Sequence, residues 1–265
     1  MRAVNLFLRD AANLGARASS PRPYLQGEIV RSVALGSQQL SRTVLDDLSE
    51  QLVIVGGGPL LRQPHQSALE QLCKDGDARR ANGGKLVLWG IGLDHDDRTT
   101  NDEYPIWLKK ADLLGVRDWR KGPQWVPCVS CLSPEFDRPR EVDRPLVAYE
   151  HPEHSLPVNW AGRLAKTNEF RTMREALDFL GRGEIVLTNS YHGAYWATLL
   201  GRKVVCWPWA SRFCFMKHAP VFAKEGDEVG DLLAQAKAYP SALDECRSVN
   251  RWFRKRVYDL AEDLP

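Results

Sequence analysis

The sequence predicts an α/β protein made of two Rossmann-like halves facing a cleft. One observation behind this is a rhythm of short apolar runs, each closing on glycine or a polar turn and leading into a helical pattern. The other is a proline-rich, charged stretch, SPEFDRPREVDR, after which the rhythm begins again. The boundary is placed near residue 143, giving an N-terminal Rossmann-like domain over 1–143 and a C-terminal one over 144–265.

AVNLFLR reads as the first strand. The loop that follows, AANLGARASSPRPYL, carries glycine and prolines that mark an excursion rather than a helix. QLVIVGG is the second strand, closing on Gly56, Gly57, Gly58 and Pro59 before a helical pattern through Ala68, Leu69 and Leu72. KLVLWGIGLD, ending in Gly90 and Gly92, and LLGVRD are the next two. Such continuous apolar runs suit a parallel sheet covered on both faces, whose strand carboxyl ends form a ligand crevice. In the second half PLVAYEH is a strand, RTMREALDFLGRG an amphipathic helix, EIVLTNS a strand, HGAYWATLLGRK a helix and KVVCWPW a strand.

Composition narrows the function classes. Apolar residues make up 43% and charged residues 26%, the balance of an ordinary globular chain. The 36 Lys and Arg against 34 Asp and Glu leave a formal charge of +2, too even for a dedicated nucleic-acid binder, so no nucleic-acid partner is expected. MRAVNLFLRD is neither a signal peptide nor an anchor and no apolar run reaches membrane-spanning length, so a cytoplasmic location is expected. The six cysteines are then expected as free thiols. Cys128 and Cys131 form a CxxC without a second ligand pair, and read as small buried side chains. Asp94, His95, Asp96 and Asp97 in GLDHDD match no metal loop and read as a solvated acidic loop, so no metal site is predicted.

The stretch TNSYHG, residues 188–193, places Thr188, Asn189 and Ser190 at a strand's carboxyl end and His192 with Gly193 at the start of the next helix. Exposed amides and the helix's positive end favour an anion there. An imidazole at that place can hold phosphate or carboxylate, or transfer a proton near neutral pH. The competing reading is a surface histidine, with Gly193 serving close packing and Asn189 or Ser190 capping the helix. Arg117, at the end of LLGVRD, offers a fork of donors for an anion, or an ion pair with Asp118. Gly56, Gly57 and Gly58 allow close approach of a ligand, or form a tight turn.

TNSYHGAYWATLLGRKVV resembles the signature of the polysaccharide pyruvyl transferase family. VIVGGGPLL, LVLWGIGLD and GVRD are similar, in order, to the family's two Gly-rich strand ends and its Arg-Asp turn, and NLGARASSPRPY resembles its amino-terminal Asn-x-Gly-Asp segment. Two departures stand out: Ala16 follows Gly15 where the family has Asp, and Ser190 stands where many members carry Arg. The resemblance implies a fold similar to the GT-B glycosyltransferases, phosphoenolpyruvate as co-substrate with no further cofactor, and a pyruvate ketal formed on a saccharide or lipid-linked oligosaccharide. It implies His192 and Arg117 as catalytic residues, with Gly57, Gly58, Asn189, Ser190, Tyr191, Gly193, Asn13 and Trp207 around the substrates. Trp207 and Trp209 are candidates for stacking on a sugar face, against a core role. Arg247, Arg251, Arg254 and Lys255, with Val249, Trp252 and Phe253, form a helix that either grazes an anionic membrane at the inner face of the cell envelope or packs by its aromatic side. The rival readings are a glycosyltransferase using a nucleotide sugar, a non-catalytic phosphate- or sugar-binding relative, for which Ala16 speaks, and, more distantly, a dinucleotide-dependent oxidoreductase, against which GGGPLL is not GxGxxG.

Overall fold

The computed structural model describes residues 2–8, 13–26, 28–35, 46–48, 51–62, 65–94, 103–119, 124–157, 164–167, 169–224 and 226–262. Two parallel sheets dominate it. The first has six strands, β1 (Arg2–Leu8), β2 (Glu28–Leu35), β3 (Leu52–Val55), β4 (Gly58–Leu61), β5 (Lys85–Leu93) and β6 (Leu113–Val116), in the order β2-β1-β3-β5-β4 with β6 also on β5. The second has five, β7 (Arg144–Glu150), β8 (Leu164–Thr167), β9 (Gly183–Thr188), β10 (Lys203–Cys206) and β11 (Val221–Phe222), in the order β11-β10-β9-β7-β8.

Period-two alternation within continuous apolar runs assigns the two faces of the first sheet. Val4, Leu6, Val53, Val55, Leu86 and Leu88 pack on one side with Leu69 and Leu72 of helix α2 (His65–Lys74), which the short α3 (Gly76–Ala81) follows. Ala3, Leu52, Ile54, Val87 and Trp89 pack on the other. In the second sheet Val147, Tyr149, Val186 and Val204 face helices α4 (Met173–Gly181) and α5 (Tyr191–Leu199), while Ala148, Leu187 and Val205 face α6 (Val229–Gln235). Thr172 caps α4 in a reciprocal box with Glu175, as Thr-x-x-Glu dictates.

Three local readings need correction. The AANLGARASSPRPYL excursion contains a helix, α1 (Leu14–Ala18), because the Asn13 side chain accepts the Ala16 N–H and closes its first turn. The glycine run closes its strand as expected, but a second short strand stands between it and α2: β3 pairs with Lys85–Leu88 and β4 with Ile91–Leu93, with Gly56 and Gly57 between them. Gly58 takes φ 119°, a backbone that suits glycine, at this break. Strand β5 runs through Gly90 and Gly92 to Leu93 instead of stopping at them.

The last helix, α7 (Ala242–Glu262), follows the second sheet in sequence and packs on the first. Phe253 and Val257 bury against Trp89, whose indole N–H donates to Asn250 Oδ1 at 2.8 Å. Arg247 is buried and donates to Cys131 O, Ser133 O and the Asp137 carboxylate. The aromatic side of the basic helix is thus mostly packed, and Trp252 is left 42% exposed.

Candidate functional site

The site forms where α5 leaves the carboxyl end of β9. Thr188 Oγ1 donates to Tyr149 O at 2.6 Å and accepts the Ser190 N–H at 3.0 Å, which turns the chain out of the sheet. Ser190 then caps α5 by accepting the Gly193 N–H at 3.3 Å. Gly193 has no room for a side chain, since a Cβ would meet Thr188 Oγ1 and the Tyr149 ring. The helix is apolar all round and buried along nearly its whole length. Its first turn aims His192 at the first half of the chain.

There the imidazole lies against Gly15 of α1, with Nε2 at 3.3 Å from Ser19 Oγ and 3.6 Å from Cys128 Sγ. Burial pushes its pKa from an ordinary 6.5 down to about 3, helped by the positive charges of Arg117 and Arg212. His192 is therefore neutral in the free protein at pH 7.

Arg117 follows β6, its N–H bound to Ile91 O at 2.8 Å and its side chain 4% exposed. The guanidinium lies 4.4 Å from the Tyr191 ring centre and against Gly92, where a Cβ would overlap it. Its Nε is buried without a hydrogen-bond partner among the described residues, 3.8 Å from the neighbouring Asp118 carboxylate. Asp118 itself accepts the Leu93 N–H at 2.7 Å and the Tyr104 hydroxyl at 2.5 Å, so it serves as a brace for β5. A cavity of about 20 Å³ between Arg117, Tyr191, Trp125 and Lys217 has room for one water.

Arg212, from the turn after β10, completes the group. It lies 4.2 Å over the Trp209 ring and donates to Asp94 at 2.9 Å, while its Nε is also buried and unpartnered. Asp94 is 1% exposed, so this member of the GLDHDD loop is an internal partner of Arg212; residues 95–97 lie outside the described residues.

Of the residues singled out from sequence, the structure brings His192, Tyr191 and Arg117 together. Asn13 acts as the α1 cap. Gly57 lies against the Gly90 carbonyl, which a Cβ would approach to 2.5 Å, and together with Gly58 shapes the join of β3 to β4. Asn189 holds the turn after β7, accepting the His151 N–H at 2.8 Å and donating to His154 O at 2.6 Å. Trp207 packs with the Ala148, Leu187 and Val205 layer, and Trp209 is the indole beside Arg212. Cys128 and Cys131 are buried free thiols. Arg212 and Ser19 were missed; neither sits in a motif, and only the folded chain sets them beside His192.

Two parallel sheets carry at this site a neutral imidazole and two guanidiniums whose Nε atoms have no hydrogen-bond partner among the described residues, in a protein of the α/β class. The chain belongs to the polysaccharide pyruvyl transferase family, whose family model matches residues 9–211. It is accordingly a transferase of polysaccharide biosynthesis, and the family implies a saccharide acceptor. No curated protein matches the chain. Among solved structures it is similar to Phytolacca americana UGT2 complexed with UDP-2fluoro-glucose and pterostilbene, at 9% identity and TM-score 0.49, over 99% of this chain and 98% of that one. It is also similar to an α-glucosyltransferase in complex with UDP and a 13-mer DNA, at 8% identity and TM-score 0.43, over 98% and 94% of the two chains. At these scores the likenesses decide nothing, and the α/β architecture rests on the sheets themselves. No helix among the described residues is long and apolar enough to cross a membrane.

Proposed function

We propose that the protein moves the enolpyruvyl group of phosphoenolpyruvate onto two hydroxyls of a saccharide or lipid-linked glycan precursor, forming a pyruvate ketal. The observation that carries this reading is the pair of buried, unpartnered guanidinium Nε–H groups of Arg117 and Arg212 acting on a neutral His192. Unpaired buried donors of this kind are costly unless an anion completes them.

The reaction asks for three things. A proton must reach the methylene carbon, making it a methyl group and opening the central carbon to the first sugar oxygen. Phosphate then leaves, and a second hydroxyl closes the ketal; of the two hydroxyl protons, one balances the proton given to carbon and one leaves with phosphate. Arg117 and Arg212 are assigned to the donor's phosphate and carboxylate. His192 is assigned the proton. An anion between the guanidiniums offsets the charges that add to burial in keeping His192 neutral, and its own charge favours the imidazolium, so the imidazole is a better proton carrier with the donor present. Because the cavity beside Arg117 has room for no more than about one water, donor binding requires neighbouring side chains such as Lys217 to part.

Calorimetry with phosphoenolpyruvate tests this. Saturable binding that weakens in Arg117→Lys and Arg212→Lys, with phosphate release lost in His192→Gln, is the expected result. Absence of binding, with a nucleotide sugar bound instead, overturns it in favour of glycosyl transfer.

A further inference from the structure

The turn after β7, His151-Pro152-Glu153-His154, takes no part in the chemistry above and lies at the carboxyl end of the second sheet. One donor atom from each of His151, Glu153 and His154 lies within 4.8 Å of the other two. Two imidazoles and one carboxylate are the donor set of three-ligand zinc sites, which keep a further coordination position open. We propose that this turn binds a divalent cation of the zinc class. The proposal goes beyond the pyruvyl-transfer reading and departs from the sequence expectation that the chain holds no metal.

The turn is held from beneath in a way that leaves its side-chain donors at the surface. Asn189 takes the His151 N–H and gives a hydrogen bond to His154 O, fixing both ends of the turn through backbone atoms alone. Trp209 donates to Asn189 O at 2.9 Å and stacks its ring on His154 at 4.0 Å, which sets that imidazole's plane. Such support around ligands orients them and raises affinity. The Glu153 carboxylate is exposed and makes no hydrogen bond or ion pair among the described residues, so it can turn to a cation without giving up a contact there.

Two adjustments accompany binding. Zinc at its usual ~2.0–2.1 Å from nitrogen and oxygen in a tetrahedron places the donors roughly 3.4 Å apart, so the three side chains draw together. His151 Nδ1 accepts the Glu153 N–H at 3.2 Å, which fixes the proton on Nε2. Ligation through Nδ1 displaces that amide, and ligation through Nε2 moves the proton to Nδ1; either way this hydrogen bond is exchanged for the metal bond.

The test is titration of ZnCl₂ into the full chain by calorimetry, with Co²⁺ absorption as a second readout. It is run on the Cys214→Ser background, because Cys214 is the cysteine that is not buried. One equivalent is expected, with visible cobalt bands and no thiolate charge-transfer band. Binding should weaken about tenfold or more in both Glu153→Gln and His154→Ala. Glu153→Gln is exposed and leaves the fold intact, so its result stands even if His154→Ala disturbs the Trp209 stack. Nitrogen-15 spectra should also show the His151 ring changing its tautomer or its Nδ1 shift on zinc addition. Lack of binding to the parent, or equal binding by parent and Glu153→Gln, overturns the proposal.

Discussion

Gly15 lies flat against the imidazole of His192, so close that a methyl group at Gly15 would overlap Nδ1. The small residue of α1 thereby fixes where a side chain from the other end of the fold can stand. Gly15→Ala suits a helix, yet it must push the ring away from Ser19 and Cys128. A displacement of about 1 Å at a reacting group costs on the order of a hundredfold in rate. Turnover is expected to fall by that amount while the protein still folds and binds donor; unchanged turnover would show that His192 does not act in the chemistry.

Gly92 stands in the same relation to Arg117, whose Nε a Cβ would strike. Gly92→Ala should displace the guanidinium without removing its charge. Donor affinity is expected to drop roughly tenfold or more, as in Arg117→Lys, which keeps charge but loses the fork. Affinities measured by calorimetry for the two variants should therefore move together.

His192 carries a pH signature. Its folded pKa of about 3 lies below the 6.5 of a free imidazole, so as pH falls the unfolded chain takes up this proton first. The stabilisation is fully present above about 6.5 and is lost progressively toward 3. Thermal melts between pH 6.5 and 5, above the range where most carboxylates titrate, should show a steeper loss for the wild type than for His192→Gln. Equal slopes would mean that the ring takes up its proton over the same pH range folded and unfolded, so that burial does not hold it neutral.

If the donor anion lifts that depression, binding brings a proton with it. At pH 7, calorimetry in two buffers of different ionisation enthalpy should report uptake of up to one proton per phosphoenolpyruvate bound, reduced in His192→Gln. No difference between wild type and variant would assign His192 to holding the donor, with the proton coming from elsewhere.

Asn250 joins Trp89 Nε1 to Pro127 O and Cys246 O inside the first half. Asn250→Ala takes this partner from the Trp89 indole N–H and from Pro127 O, while Cys246 O keeps its helical backbone bond, at about 1–3 kcal/mol for each group orphaned. Denaturant unfolding should show a loss of this size, with little change in donor affinity.

Much of the architecture was legible because burial on both faces leaves an unbroken apolar run, as in QLVIV, KLVLW and EIVLT, and because Thr172 and Ser190 announce the helices they cap. Strand β8, LAKT, lacks such a run, and β11 has two residues, so neither carries a signal. Glycine misled inside β5, where Gly90 faces Gly57 at the join of β3 to β4, a packing role that a local reading takes for a strand end. At the site, His192 and Arg117 belong to motifs and were found. Arg212 was not, since only the fold sets it over Trp209. HPEH escaped notice because its donors come from one four-residue turn, outside the paired spacings by which metal motifs are recognised.

The attachment of α7 to the first sheet has a consequence for the order of events on the ribosome. Strands β1 to β6 are complete once residue 116 has been made, yet Ile54, Val87 and Trp89 meet Phe253 and Val257 only after another 137 residues or more. At synthesis speeds of about 5–20 residues per second, that interval is on the order of ten seconds. During it, Ile54, Val87 and Trp89 wait without the cover that Phe253 and Val257 later supply, so the early sheet meets solvent with part of its apolar side still open.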